Sequence, residues 1–467
     1  MAVTRGRLPN LVVVGQGAAG LAAALTAAEV AAAGNSALRI TVIDKAPESE
    51  AGGNTRWSPS NMRMASVEAV EPTFVDDVLK STGRRGDKAY FSRLARDAPA
   101  TVKWLASLGI EFIQPPYYLA KGPSRIQPVG GGQALLNTLL GAARNAGVIF
   151  RYRCAAAEIV AENDRITALV ADDNGTCATL PADAVVLASG GFQGNGEMMT
   201  AHFGERGKTM RLISPGTYFD TGEGIGLARR LGADLSGDWN GMHAEPVDAR
   251  AKNSAPVVLL YPYGIVVDGN GRRFFDEGGG LMHETWERLA REIHFKLPGS
   301  IAYAILDRRV SAIADYQRAI RSEVPPASAK TIAELANVLG IDAENLTLTV
   351  AEYNAACRGD ADKFDATRLD GLAAAPVLTP PKSNWARAIS EPPFLAYPLV
   401  GAVAYTFGGL ATDDRARVLR NGAPVSGLYA AGEITGHFYA TAPNAVAVLR
   451  AFVFGRVAGR EAAGFLV

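Results

Sequence analysis

Gly15, Gly17 and Gly20, spaced as G-x-G-x-x-G and followed by an acid at Asp44, are the residues whose types and spacing most directly specify chemistry. They fit the binding of a dinucleotide. Gly15 makes a tight turn out of a strand, and Gly17 lets the backbone touch a pyrophosphate. Ala18 and Ala19 complete the loop, and Gly20 lets the following helix pack closely on the sheet with its N-terminus toward the phosphates. Asp44 is placed to accept hydrogen bonds from a ribose. The motif alone does not distinguish FAD from NAD.

Positioning these groups requires a β-α-β unit, and the pattern predicts one. Residues 11–14 form a buried apolar strand, 21–33 an alanine-rich helix and 38–43 a second strand ending at Asp44. The loop that follows carries Lys45, Gly52, Gly53, Asn54 and Thr55; it either runs along the cofactor beyond its pyrophosphate or is an ordinary surface turn. Helical periodicity covers 70–109, with Thr73 and Asp87 as caps, and Gly130-Gly131-Gly132 precede a helix over 133–145. Strands at 148–152, 158–160, 166–170 and 177–180 read as a small antiparallel sheet inserted in the α/β domain. A buried strand then leads through Ala188 and Ser189 to the pair Gly190-Gly191.

Between about 205 and 390 the pattern changes to strands at 264–267 and 301–306 and helices at 331–339 and 345–358, read as an inserted second domain. Residues 425–433 return to the first domain with a strand ending at Gly432-Glu433, and 443–463 reads as a long helix with Pro443 in its first turn. The expected organisation is therefore 1–204 and 391–467 as one domain, with 205–390 between them. A chain of 467 residues has room for two to three domains.

Lys+Arg 47 balances Asp+Glu 47, which argues against nucleic acid or an anionic membrane surface as a general partner. An anionic substrate must then be held by locally placed cations. Cys154, Cys177 and Cys357 lie far apart with no C-x-x-C, against a disulfide framework, a zinc site or an iron–sulfur cluster, and a reducing cytoplasm fits best. Residues 11–33 are apolar but punctuated by Gly15, Gly17, Gly20 and Glu29, so a β-α unit explains them better than membrane insertion or a signal peptide.

Four segments in order resemble the fumarate reductase/succinate dehydrogenase flavoprotein family: V-V-V-G-Q-G-A-A-G at 12–20, G-G-N-T at 52–55, L-A-S-G-G-F at 187–192 and Y-A-A-G-E-I-T-G at 429–436. Within it the chain looks most like the tricarballylate dehydrogenases. The stretches are G-G-G-Q-A-L at 130–135, H-A-E-P-V-D-A-R-A at 243–251, G-I-V-V-D-G-N-G-R-R-F-F-D-E-G at 264–278, Y-N-A-A-C-R at 353–358 and W-A-R-A-I-S-E-P-P-F at 385–394. The resemblance implies an α/β protein, with a Rossmann-like FAD-binding domain and an inserted α+β capping domain, that binds FAD non-covalently. Asn444, Ala445 and Val446 join the cofactor set. The implied reaction introduces a C=C bond into a small tricarballylate-like carboxylate by proton abstraction and hydride transfer to flavin N5. The reduced flavin would pass its electrons to a membrane-bound acceptor protein. Reduction of an unsaturated carboxylate, desaturation of a ketone or steroid, and a non-catalytic electron-transfer subunit are the alternatives.

Such chemistry needs a base, and cations that stabilise enolate-like charge. The resemblance assigns His243 to a substrate carboxylate, and places Arg273 and Glu277 of R-F-x-x-E near a proton path. His283 and Arg288 fall in a helix-like stretch that reaches the same cleft. Tyr405 and Thr406 stand where fumarate reductases carry a substrate-binding histidine, and His437 and Tyr439 lie between the Gly432-Glu433 turn and the last helix. The family's arginine before that helix is missing from 439–444, as is a clear match to its cap arginine.

Overall fold

The computed structural model describes residues 7–467. Its first sheet has six strands in the order Arg417–Arg420, Ala423–Ala430, Ala184–Leu187, Asn10–Val14, Arg39–Asp44, Ile149–Tyr152. All pair in parallel except the edge strand Arg417–Arg420. Helices cover the sheet, which is why its central strands read as unbroken apolar runs: Leu11, Val13, Val185 and Val186 are fully buried. The fold is α/β, as the residue pattern predicts.

The helix Ala18–Ala33 begins three residues earlier than the periodicity suggests, directly after Gly17. Gly15 has φ +104, and a Cβ on Gly20 would collide with the Gly15 carbonyl, so both glycines are required by the turn itself. The last helix, Ala447–Leu466, lies against Ala18–Ala33. Gly455 and Gly459 face the backbone of Ala19 and Ala23 with no room for a side chain, so an alanine-rich surface meets a glycine-notched one.

Two local expectations change. Pro443 does not open the last helix: Ala445 is at φ +57, outside helical space, and 443–446 form a loop instead. Asp87 caps Lys88–Ser107 by accepting from Ala89 N and Tyr90 N, but Thr73 makes no such cap and donates to Asp77 instead. The small antiparallel sheet appears as Cys154–Glu162, Arg165–Asp173 and Thr176–Pro181.

A second sheet is built around Phe394–Thr406, which pairs with Met242–Asp248, Ala302–Asp307, Ala327–Ala329 and Arg211–Leu212. This long strand lies on the C-terminal side of the expected boundary at 390, yet its hydrogen bonds are in the inserted region's sheet. It delivers Tyr405 and Thr406 to the end of the first sheet.

Candidate active site

A cavity of about 310 Å³ opens at the C-terminal ends of the first sheet's strands. Strand ends followed by glycine turns put backbone N–H groups and helix N-termini there. Its wall includes Gly15, Gly17, Ala18, Ala19, Asp44 and Lys45, then Gly52 to Thr55, Ala188 to Gly190, Gly432, Glu433, Asn444 and Ala445. Of the expected cofactor residues, Gly20, Gly191 and Val446 are not in the wall. Gly20 supports the first turn from beneath, and a Cβ on Gly191 would strike Glu433 and Thr406.

Asp44 accepts from Gln16 N at 2.8 Å and Ala46 N at 2.9 Å, so it shapes the loop as well as facing the cavity. Burial pushes its carboxyl up. Gln16 Oε1, Trp57 Nε1, Asn61 Oδ1 and Asn444 Oδ1 are buried in this wall without hydrogen-bond partners. Buried polar atoms are rarely left so, and a row of them beside a glycine cradle fits a polar ligand such as FAD. Two buried carboxylates face the same space. Burial pushes Glu433 up to about 7, and burial together with the nearby Glu433 charge holds Asp220 well above the usual carboxylate range.

The remaining side of the cavity is built by the strand Met242–Asp248, the helix Met282–Lys296 and the end of Phe394–Thr406. His243 Nδ1 lies 2.9 Å from Glu287 Oε2, and Nε2 lies 3.3 Å from Glu245 Oε1. Burial opposes the imidazolium, but the two carboxylates outweigh it and lift His243 to about 9. The ring is therefore a cation at neutral pH, and the Tyr405 ring lies 4.9 Å from it. Burial keeps the Tyr405 phenol protonated, well above its ordinary value.

Arg125, 8% exposed, lines the same cavity. Its guanidinium lies over Tyr117 and Tyr118 at 4.4 and 4.6 Å, its Nε has no partner, and its one hydrogen bond is a 3.5 Å contact to Pro116 O. Among the described residues it has no ion pair. Arg321, also in the wall, forms no close ion pair among the described residues, but its charge helps hold Glu245 below the usual carboxylate range.

The other expected residues are distributed differently. His283 and Arg288 line an adjoining cavity of about 870 Å³, which shares Trp286, Ala442 and Asn444 with the first. Thr406 is fully buried behind the wall, accepting from Phe192 N, with its own N–H directed to Glu433. His437 is stacked 3.6 Å from Tyr90 and bonded through Nε2 to Thr412; burial and the Arg450 charge push it down to about 3. Tyr439 accepts from Gly237 N at 3.1 Å. Neither His437 nor Tyr439 lines either cavity.

Arg273 and Glu277 pair at 2.6 Å, fully inside the second sheet's packing, and line neither cavity. Glu277 also accepts from Val266 N, and Lys382 Nζ stands 3.7 Å away. Removing one member of a buried pair leaves an uncompensated charge. Arg273→Ala is expected to destabilise the protein by about 3–5 kcal/mol, read as a lower urea midpoint of unfolding.

Glu287, Glu245, Arg125 and Arg321 were not singled out from the sequence. The spacing His283-Glu287 on one helix face and His243-Glu245 on alternate strand positions carried a signal for the first two. Arg125 lies in an aperiodic loop before Gly130, where nothing local marks it.

The FAD binding domain family matches residues 10–445. A probable fumarate reductase from Shewanella frigidimarina is 28% identical over 479 residues, covering 97% of this chain and 74% of that protein. A 4-oxocyclohexanecarboxylate 2-dehydrogenase from Sinomonas cyclohexanicum is 28% identical over 420 residues, covering 81% of this chain and 69% of that protein. The open conformation of a flavocytochrome c3 fumarate reductase superposes with a TM-score of 0.77 at 25% identity, covering 99% of this chain and 79% of that one.

Proposed function

The chain belongs to the FAD binding domain family, and on that premise we propose that it is a dehydrogenase introducing a C=C bond into a small, tricarballylate-like carboxylate. It is an FAD-dependent oxidoreductase acting on CH–CH groups. The observation that carries the finer reading is Arg125, a buried guanidinium in the FAD cavity with no protein anion beside it. Arg321 adds a second guanidinium to the same wall, beside a His243 imidazolium that is already held between Glu245 and Glu287.

Bound FAD supplies the two-electron acceptor for hydride. The residues around it bind and polarise the substrate. Arg125 grips one carboxylate with its planar fork. His243, held by Glu287 and Glu245, stabilises negative charge as the carbon next to a carboxylate loses its proton. Glu245, kept anionic by His243 despite its burial, is the base offered by that wall. Tyr405, protonated, donates to a developing oxyanion. The electrons leave to a separate acceptor protein, membrane-bound in this reading; no described helix is long and apolar enough to cross a membrane. A cytoplasmic location is part of the same proposal, in keeping with three free cysteines.

Tyr405 and Tyr118 in the wall favour a second reading, desaturation beside a ketone, with the phenols polarising the carbonyl. Anaerobic titration of the FAD-loaded protein separates the two. Bleaching of oxidised flavin by tricarballylate is the expected result. Bleaching only by a ketone such as 4-oxocyclohexanecarboxylate moves the assignment to the second reading. No bleaching by either, with reduced enzyme reoxidised by an unsaturated carboxylate, makes the protein a reductase.

A further inference from the structure

Arg450 stands in the first turn of the last helix and is 1% exposed. Nη1 donates to Thr435 O at 3.2 Å, the guanidinium carbon lies 3.9 Å from the Phe438 ring centroid, and Nε has no partner. Among the described residues no carboxylate forms an ion pair with it. Arg450 is among the residues that line the FAD cavity, together with Gly432, Glu433, Ala445, Val448 and Ala451.

A guanidinium removed from water without an anion is costly, and such groups persist where a counter-charge arrives during function. Thr435 and Phe438, which hold the guanidinium, are not in the cavity wall, but its charge acts on Glu433 and Tyr405, which are. Oxidised FAD takes up two electrons and one proton, the proton at N5, and this leaves one negative charge spread over N1 and the C2 carbonyl. We propose that Arg450 is the built-in counter-cation for that charge and thereby raises the two-electron potential of the bound FAD. The N-terminus of the same helix acts in the same direction. Glu433, the nearby acid, is pushed up to about 7 by burial and so offsets the guanidinium only in part near neutral pH.

The test is made on the substrate-free holoenzyme, so it is independent of whether the substrate is a carboxylate. Arg450→Met keeps the stem that packs on Phe438 and removes the charge; Arg450→Lys restores it. At a fixed ambient potential the Met variant is expected to hold a reduced-to-oxidised ratio at least tenfold below wild type. For a two-electron couple this is a shift of about 30 mV. Sulfite, which adds at N5 and places the same charge on N1, is expected to bind at least tenfold more weakly, with the Lys variant recovering most of both. A Met variant that holds stoichiometric FAD at the wild-type ratio and wild-type sulfite affinity overturns the proposal. If that variant takes up no FAD, the wild-type potential is measured from about pH 6 to 9. One proton per two electrons throughout supports a stabilised anion, and two protons in the acidic part of that range overturn it.

Discussion

Arg125→Met is expected to raise KM for the carboxylate substrate by about 30-fold to several thousand-fold while the FAD spectrum is retained. The range follows from the about 2–5 kcal/mol lost when one partner of a buried, hydrogen-bonded charge pair is truncated, at about 1.4 kcal/mol per tenfold. Arg125 belongs near the upper end. It has no protein carboxylate to fall back on, and its stacking over Tyr117 and Tyr118 fixes the guanidinium plane before substrate arrives. Methionine preserves most of that packing, so the loss is electrostatic. Lysine is expected to restore little, because a point charge does not reproduce a planar, bidentate fork. Steady-state kinetics of the holoenzyme check this; an unchanged KM in the Met variant removes the carboxylate reading and leaves the ketone one.

The second large effect concerns His243. Replacement by glutamine, which keeps hydrogen bonds to Glu245 and Glu287 within reach but cannot carry charge, is expected to lower kcat by about 10²–10³-fold, as loss of one stabilising donor does. The pH dependence has a definite sign. His243 ionises near 6.5 when unfolded and is raised to about 9 in the folded protein, so the native state binds this proton more tightly. Its contribution to stability is complete below about 6.5 and is lost as pH rises through about 9. Wild-type kcat is expected to fall over the same alkaline limb, and His243→Gln to abolish that limb. A limb that survives in the variant assigns it to another group.

What could be read from residues alone was whatever local geometry imposes. The glycines of 15–20 are required by their own turn, and Asp87 caps its own helix. Failures arise where meaning depends on distant partners. Arg273-x-x-x-Glu277 has the same spacing whether it borders a proton path or, as here, lies buried beside Lys382 and Val266 N. His437 stands next to a cofactor turn in sequence, yet its ring is stacked on Tyr90, a residue of a helix far back in the chain. Pro443 satisfies every local rule for a helix start, but Ala445 in left-handed backbone turns the segment into cavity wall. Arg125 is the converse case: its importance rests on the partners it lacks, which no spacing encodes.

The order of strands in the first sheet also governs how the molecule comes into being. Four of its six strands are complete once residue 187 has left the ribosome, but Ala184–Leu187 then stands as an open parallel edge until Ala423–Ala430 has been synthesised. Glu433, Asn444 and Arg450 arrive later still, so the cavity wall is completed only when translation is nearly finished. Through that interval the unpaired edge is a template for wrong strand pairing between chains. Expression yield should accordingly depend on chaperone supply during synthesis, and flavin added afterwards should rescue only chains whose edge has already closed.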